Sequence, residues 1–87
     1  MDDLEQAVQR GNEARQILVS PVFVDAQKRL KDKYLAELLS ANDKDKREAL
    51  WHKVKVLEEV VAELGITEQN GVKAEHDVKV RRRRATQ

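Results

Sequence analysis

Apolar residues recur every three or four positions through most of the first 64 residues, which is the spacing of one face of an α-helix. This pattern predicts three helices, over about residues 3–18, 21–40 and 43–64. Ser20-Pro21 marks the start of the second helix, because serine is a favoured N-cap and proline is tolerated at the first helical position. Gly65 stands where a left-handed residue often follows a helix, which predicts that the third helix ends at Leu64.

The second and third helices are predicted to form an antiparallel hairpin. The polar break Ser40-Ala41-Asn42-Asp43 between them is too short for any other connection. In the third helix, apolar residues alternate at spacings of four and three, which is the seam of a coiled coil. The seam residues are Leu50, Val54, Leu57, Val61 and Leu64.

The second helix has an apolar stripe that is wider than one partner helix covers. Its residues are Leu30, Tyr34, Leu35, Leu38 and Leu39, with Phe23 and Ala26 nearer the start. One interpretation is that the two seams close on each other as the core of the hairpin. The other is that the surplus face makes contacts between subunits, and it predicts a homo-oligomer.

Gly11 lies in the middle of the first predicted helix. Glycine inside a helix costs about 1 kcal/mol relative to alanine. Either this helix is weak there, or the backbone of another element packs closely against it.

The hydrophobic period changes to two after the turn-forming residues 67–71. Val72, Ala74, Val78 and Val80 alternate with charged residues, which predicts one β-strand over 72–80. Nothing else in the chain alternates in this way, so the strand must pair with another subunit, extend another protein's sheet or remain disordered. The predicted domains are therefore a helical domain over 1–66 and a region of turn, single strand and basic tail over 67–87.

Charge is distributed unevenly along the chain, although 17 basic and 16 acidic residues leave a net charge of only +1. Residues 73–87 contain six basic and two acidic groups, and four of the basic groups are the consecutive residues Arg81, Arg82, Arg83 and Arg84. This flexible basic tail is the candidate nucleic-acid-binding site, since arginines neutralise phosphates. An acidic protein surface and a solvated tail without a partner are the alternatives.

Catalytic signals are weak. His52 and His76 are far apart in the sequence, Ser20 and Ser40 stand at helix boundaries, and cysteine is absent. The isolated glycines form no phosphate-binding loop. We therefore expect no catalytic residue, cofactor, metal ligand or small-molecule substrate. The apolar runs are too short to cross a membrane, and Asp2 and Asp3 do not suit a signal peptide, so we expect a cytoplasmic protein.

The predicted fold class is thus mainly α: a helical hairpin with an N-terminal helix, one C-terminal intersubunit β-strand and a flexible basic tail. This order of elements resembles the oligomerisation core and C-terminal region of small terminase subunits of tailed bacteriophages. The segment Ile17-Leu18-Val19-Ser20-Pro21-Val22-Phe23 is also similar to short helical proteins encoded by phages.

The resemblance implies a function in DNA packaging. In that family the hairpins pack into a ring, the strands can close an intersubunit barrel, and the ring presents viral DNA to the large terminase subunit. The location would be the cytoplasm of the host cell. A function of a different class is also open, namely a small helical interaction module that adapts or inhibits a host or phage protein.

Overall fold

A computed structural model describes the backbone of residues 2–86 and the side chains of residues 2–85. Within this range the chain forms three helices, α1 (Asp3–Val19), α2 (Pro21–Ser40) and α3 (Lys44–Thr86). The mainly helical fold is confirmed, and both ends of α1 and α2 lie within one residue of their predicted positions. Met1 and Gln87, the outermost residues of the two predicted domains, lie outside the described residues.

Short polar residues set two of the helix starts. The Asp2 carboxylate accepts a hydrogen bond from the backbone N–H of Glu5 at 2.9 Å, so Asp2 caps α1. Asp43 accepts one from the N–H of Asp45 at 3.3 Å, just before α3. Ser20 makes no such side-chain bond, and α2 begins instead on the favourable φ of Pro21.

Helix α3 is much longer than predicted, and the predicted strand over 72–80 is wrong. These nine residues continue α3, and the structure contains no strand between residues 2 and 86. The predicted helix end at Leu64 is also wrong, because Gly65 has no positive φ and the helix runs through it and through residues 67–71. The basic segment 81–84 is likewise helical rather than a flexible tail.

A continuous heptad explains why the helix prevails over the strand. Leu50, Leu57, Leu64, Gly71 and Val78 stand seven residues apart, so they share one face of a helix. Ala74 lies on the same face and is buried. By contrast, the alternating pattern would give Val72 the same surroundings as Ala74, whereas Val72 is exposed.

The chain divides into two compact units, which we call the hairpin unit (residues 19–62) and the terminal unit (residues 2–18 and 63–86). In the hairpin unit, α2 runs antiparallel to the first part of α3, as predicted. Lys31 of α2 lies 3.7 Å from Glu58, while the Lys53 ammonium lies 5.4 Å from the ring centre of Tyr34. The buried residues of this unit are Ala41, Leu50 and Val54, and no residue of α2 is buried.

The terminal unit packs α1 against the second part of α3 at very short range. A Cβ atom placed on Gly11 would lie 2.7 Å from the Cα of Gly71, so the two backbones touch. Ala14 and Ala74 are buried beside this contact. Of the two interpretations of Gly11, the close approach of another backbone is confirmed.

None of the helices between residues 2 and 86 combines the length and the apolar character that a membrane span requires.

Candidate functional site

The residues predicted to make subunit contacts differ in their burial within the hairpin unit. Leu50 and Val54 are buried within their own chain, with 4% and 1% of their surface exposed, so they form its core. Tyr34, Leu35, Leu38 and Leu57 are half-buried, whereas Leu30, Leu39 and Val61 are exposed. Part of the predicted seam is therefore core of the hairpin, and an apolar surplus remains open to water. Contact of this surplus with another subunit stays a prediction.

The largest apolar exposure in the hairpin unit lies near the turn between α2 and α3. Leu39 is 89% exposed and Trp51 is 46% exposed. Trp51, but not Leu39, lines an open groove of about 500 Å³, which we call the turn groove. It is lined by Leu38, Asn42, Lys44, Arg47, Glu48, Trp51 and His52.

The turn groove combines an apolar wall with positive charge. Leu38 and Trp51 provide the apolar surface, and Lys44 and Arg47 place two cations against one carboxylate, that of Glu48. The Lys55 ammonium lies 4.7 Å from the centre of the Trp51 ring, and this cation–π contact helps to fix the position of the indole. This chemistry suits an apolar side chain that is accompanied by a carboxylate.

A second apolar surface lies on the other side of α3. Val56 is 54% exposed and Val60 is 41% exposed, and the neighbouring Glu59 is also exposed. On a helix with 3.6 residues per turn, Val60 is rotated from Trp51 by about 180°, Val56 by about 140° and Glu59 by about 80°. We call Val56, Glu59 and Val60 the outer stripe.

The charges around Glu58 are satisfied within the hairpin unit. Its carboxylate lies 3.7 Å from the ammonium of Lys31 and 3.7 Å from that of Lys55. A smaller groove of about 390 Å³ lies beside this cluster, and Gln27, Lys28 and Val61 are among its lining residues. Because the partners are about half exposed, these ion pairs contribute little to stability.

Arg81 has a structural role that the sequence analysis did not foresee. Its guanidinium donates a hydrogen bond to the Asp2 carboxylate at 3.0 Å, which links the start of α1 to the end of α3. The N–H of Glu5, with a further contribution from Arg81, lowers the pKa of Asp2 below its ordinary 3.8. Arg81 is therefore not an uncommitted cation.

The other three arginines do not form a single basic face. Successive residues of a helix are rotated by about 100°, so four consecutive side chains point in four directions. Arg82 lines a groove that also contains Glu5 and Glu75. Arg83 and Arg84 lie in the last turn of α3, where cations complement the negative end of the helix dipole.

The three valines of the predicted strand also belong to the terminal unit. Val78 and Val80 are half-buried and Val72 is exposed, all on the helical backbone of α3.

Two features of the sequence were missed. The pattern Asp2-x-x-Glu5 is the start of a capped helix, and it indicated the role of Asp2. The matched small residues Gly11, Ala14, Gly71 and Ala74 indicated a close helix pair. Trp51, the one tryptophan of the chain, is half-exposed in the turn groove and carried no signal of that role in the sequence.

Comparison of the chain with protein-family models, curated proteins and solved structures finds no match.

Proposed function

We propose that this chain is a non-enzymatic assembly protein that forms a homo-oligomer through its hairpin unit and binds DNA weakly through the basic end of α3. The proposal of a homo-oligomer rests on the hairpin unit, in which few residues are buried while large apolar side chains are exposed. Its buried residues are Ala41, Leu50 and Val54, while Leu39 and Trp51 remain largely open to water.

Burial of such side chains is a substantial driving force. Full burial of a leucine side chain contributes about 1.5–3 kcal/mol, and tryptophan and tyrosine are frequent anchors of interfaces. A hairpin in which one helix has no buried residue gains more from a partner than from further closure on itself. A second copy of the chain is the partner that is always present at equal concentration.

The test of assembly uses Leu39→Glu, because this side chain is 89% exposed and its loss leaves the hairpin core intact. We expect sedimentation of the wild type to show an oligomer at tens of micromolar and that of the variant to show a smaller species. Ala36→Glu is the matched control, since Ala36 is also exposed on α2 but lies outside the apolar stripe. A monomeric wild type would contradict the proposal.

The DNA-binding half of the proposal depends on Arg82, Arg83 and Arg84, which are exposed at the end of α3. Each phosphate contact contributes about −0.9 to the slope of log affinity against log salt, so the three arginines, which point in different directions, give a slope no steeper than about −2.7. No sequence preference is expected, since aromatic residues that stack on bases are absent from residues 73–87. Several copies of this basic end in one oligomer would strengthen weak single contacts.

The DNA test replaces these three arginines with glutamine, which preserves helix propensity. We expect the variant to lose duplex retention at low salt with no change in oligomer size. Arg81→Gln serves as the comparison, because Arg81 is held by Asp2 and its loss should change the slope less. Equal binding by the triple variant and the wild type would exclude this site.

DNA packaging in the manner of a small terminase, with the large terminase as partner, is the specific biological context that we propose. It is supported by the helical hairpin and the basic helix end. The intersubunit strand that the resemblance implied is replaced by helix, so a second candidate is a helical adapter or inhibitor of another protein. That candidate would be favoured if the wild type proves monomeric yet retains the exposed face at Leu39 and Trp51.

A further inference from the structure

The turn groove and the outer stripe are complementary in chemistry. The groove offers an apolar wall at Trp51 with the cations Lys44 and Arg47 at its edge. The stripe offers two exposed valines with the exposed carboxylate of Glu59 at their edge. An acidic apolar ridge is the shape and charge that such a groove accepts.

Arg47 in the turn groove and Glu59 in the outer stripe are also available to form an ion pair with each other in a second copy. Among the side chains of residues 2–85, neither Arg47 nor Glu59 takes part in an ion pair. Glu58, one residue earlier, is already flanked by Lys31 and Lys55. A contact to Glu59 therefore adds a new charge pair without breaking an existing one.

Arg47 and Glu59 are twelve residues apart on the same helix, which separates them by about 18 Å along its axis, so one chain cannot join its own groove to its own stripe. We infer that the turn groove of one copy receives the outer stripe of a second copy, in a head-to-tail contact centred on Arg47 and Glu59. A pair of copies then has one free groove and one free stripe, and the contact repeats from copy to copy. This inference rests on the proposed self-association and adds a second contact between copies to the one tested at Leu39.

The experiment uses charge reversal with complementation on the full chain. Arg47→Glu places a carboxylate against Glu59, and Glu59→Arg places a guanidinium against Arg47. We expect each variant alone to weaken assembly by at least about tenfold in dissociation constant, because like charges then oppose each other at every contact. An equimolar mixture should reassemble, since alternating copies restore opposite charges at both kinds of contact.

Two control variants have the same charge changes on the outer side of α2. Arg29→Glu and Asp25→Arg are exposed and lie away from α3 on the helical wheel, so they should assemble like the wild type. Circular dichroism checks that every variant keeps its helices. The chain has one tryptophan, so its emission reports directly on the groove and should shift to shorter wavelength when assembly covers Trp51.

The possible results separate this inference from the proposed function. A monomeric wild type at tens of micromolar would overturn both. An oligomer that is unaffected by Arg47→Glu and Glu59→Arg would overturn the head-to-tail contact and leave self-association through another face. Disruption by each variant without recovery in the mixture would show that the two residues do not meet, which also overturns the inference.

Discussion

The backbone contact between Gly11 and Gly71 allows a sharp test of how the terminal unit is held together. Replacing Gly71 with alanine places a Cβ atom 2.7 Å from the Cα of Gly11 and 3.0 Å from the carbonyl oxygen of Ala7. Carbon atoms in contact normally lie about 3.5–4.0 Å apart. Since the atoms that obstruct the new methyl group are backbone atoms, α1 and α3 must move apart by roughly 1 Å at this point.

The matched comparison is Gly65→Ala in the same helix and the same unit. A Cβ atom on Gly65 would have no neighbour within 4 Å. Both substitutions gain about 0.5–1 kcal/mol because alanine favours a helix over glycine. Only Gly71→Ala incurs the overpacking cost, which is about 1–3 kcal/mol. The difference between the two variants therefore isolates that cost, because the helix-propensity gain cancels.

The measurement is thermal and urea unfolding followed by circular dichroism at 222 nm. We expect Gly65→Ala to raise the melting temperature. The melting temperature of Gly71→Ala should lie below that of Gly65→Ala, by about 4–8 °C for each 1 kcal/mol of overpacking cost in a domain of this size. Adding Gly11→Ala to Gly71→Ala should cost less than Gly11→Ala alone, since the helices are already apart. Equal stability of the two single variants would refute the close approach of the helices.

Three further predictions concern other parts of the structure. Val54→Ala should destabilise the hairpin unit by about 2 kcal/mol in urea unfolding, because Val54 is its most buried side chain, whereas Val22→Ala, at an exposed position outside the turn groove and the outer stripe, should change stability by less than about 0.5 kcal/mol. Asp2 has a lowered pKa in the folded protein, so its carboxylate stabilises the fold above pH 3.8 and this contribution is lost as the pH falls through the folded pKa. The stability difference between wild type and Asp2→Asn should therefore shrink between pH 5 and pH 2, and a constant difference would contradict the assignment. Glu58→Gln should cost at most about 1 kcal/mol and lose its effect in high salt, because both of its ion pairs are about half exposed.

The helices were predictable wherever large apolar residues marked their buried face. The segment from Pro21 to Ser40 was bounded correctly because proline and the polar break at residues 40–43 are strong local signals. The second part of α3 was missed because its buried face is made of Gly71 and Ala74, which carry little hydrophobic signal, while the exposed Val72 and the half-buried Val80 imitate a strand. Contact with α1 buries that small-residue face, and the heptad that continues from Leu50 to Val78 is visible only when the whole of α3 is considered rather than residues 72–80 alone.

The candidate site was predicted less completely than the fold. The surplus apolar face of α2 was visible from Leu35 and Leu39, but the turn groove arises only when α2 and α3 are paired. The run of four arginines suggested one basic site. The helical backbone instead separates the four side chains, and the distant residue Asp2 engages Arg81. The sequence shows that the segment is positively charged, but the direction in which each arginine side chain points depends on the fold.

The contact between Gly11 and Gly71 also limits how this protein can vary among relatives. Any side chain larger than hydrogen at either position meets the opposite backbone, so the two positions should remain small together or change only with a shift of the helix pair. Exposed residues such as Leu39 and Trp51 face no such restriction from their own fold. Distant relatives should therefore be recognised by paired small residues in the first and last helices more readily than by their surface charges or large apolar residues.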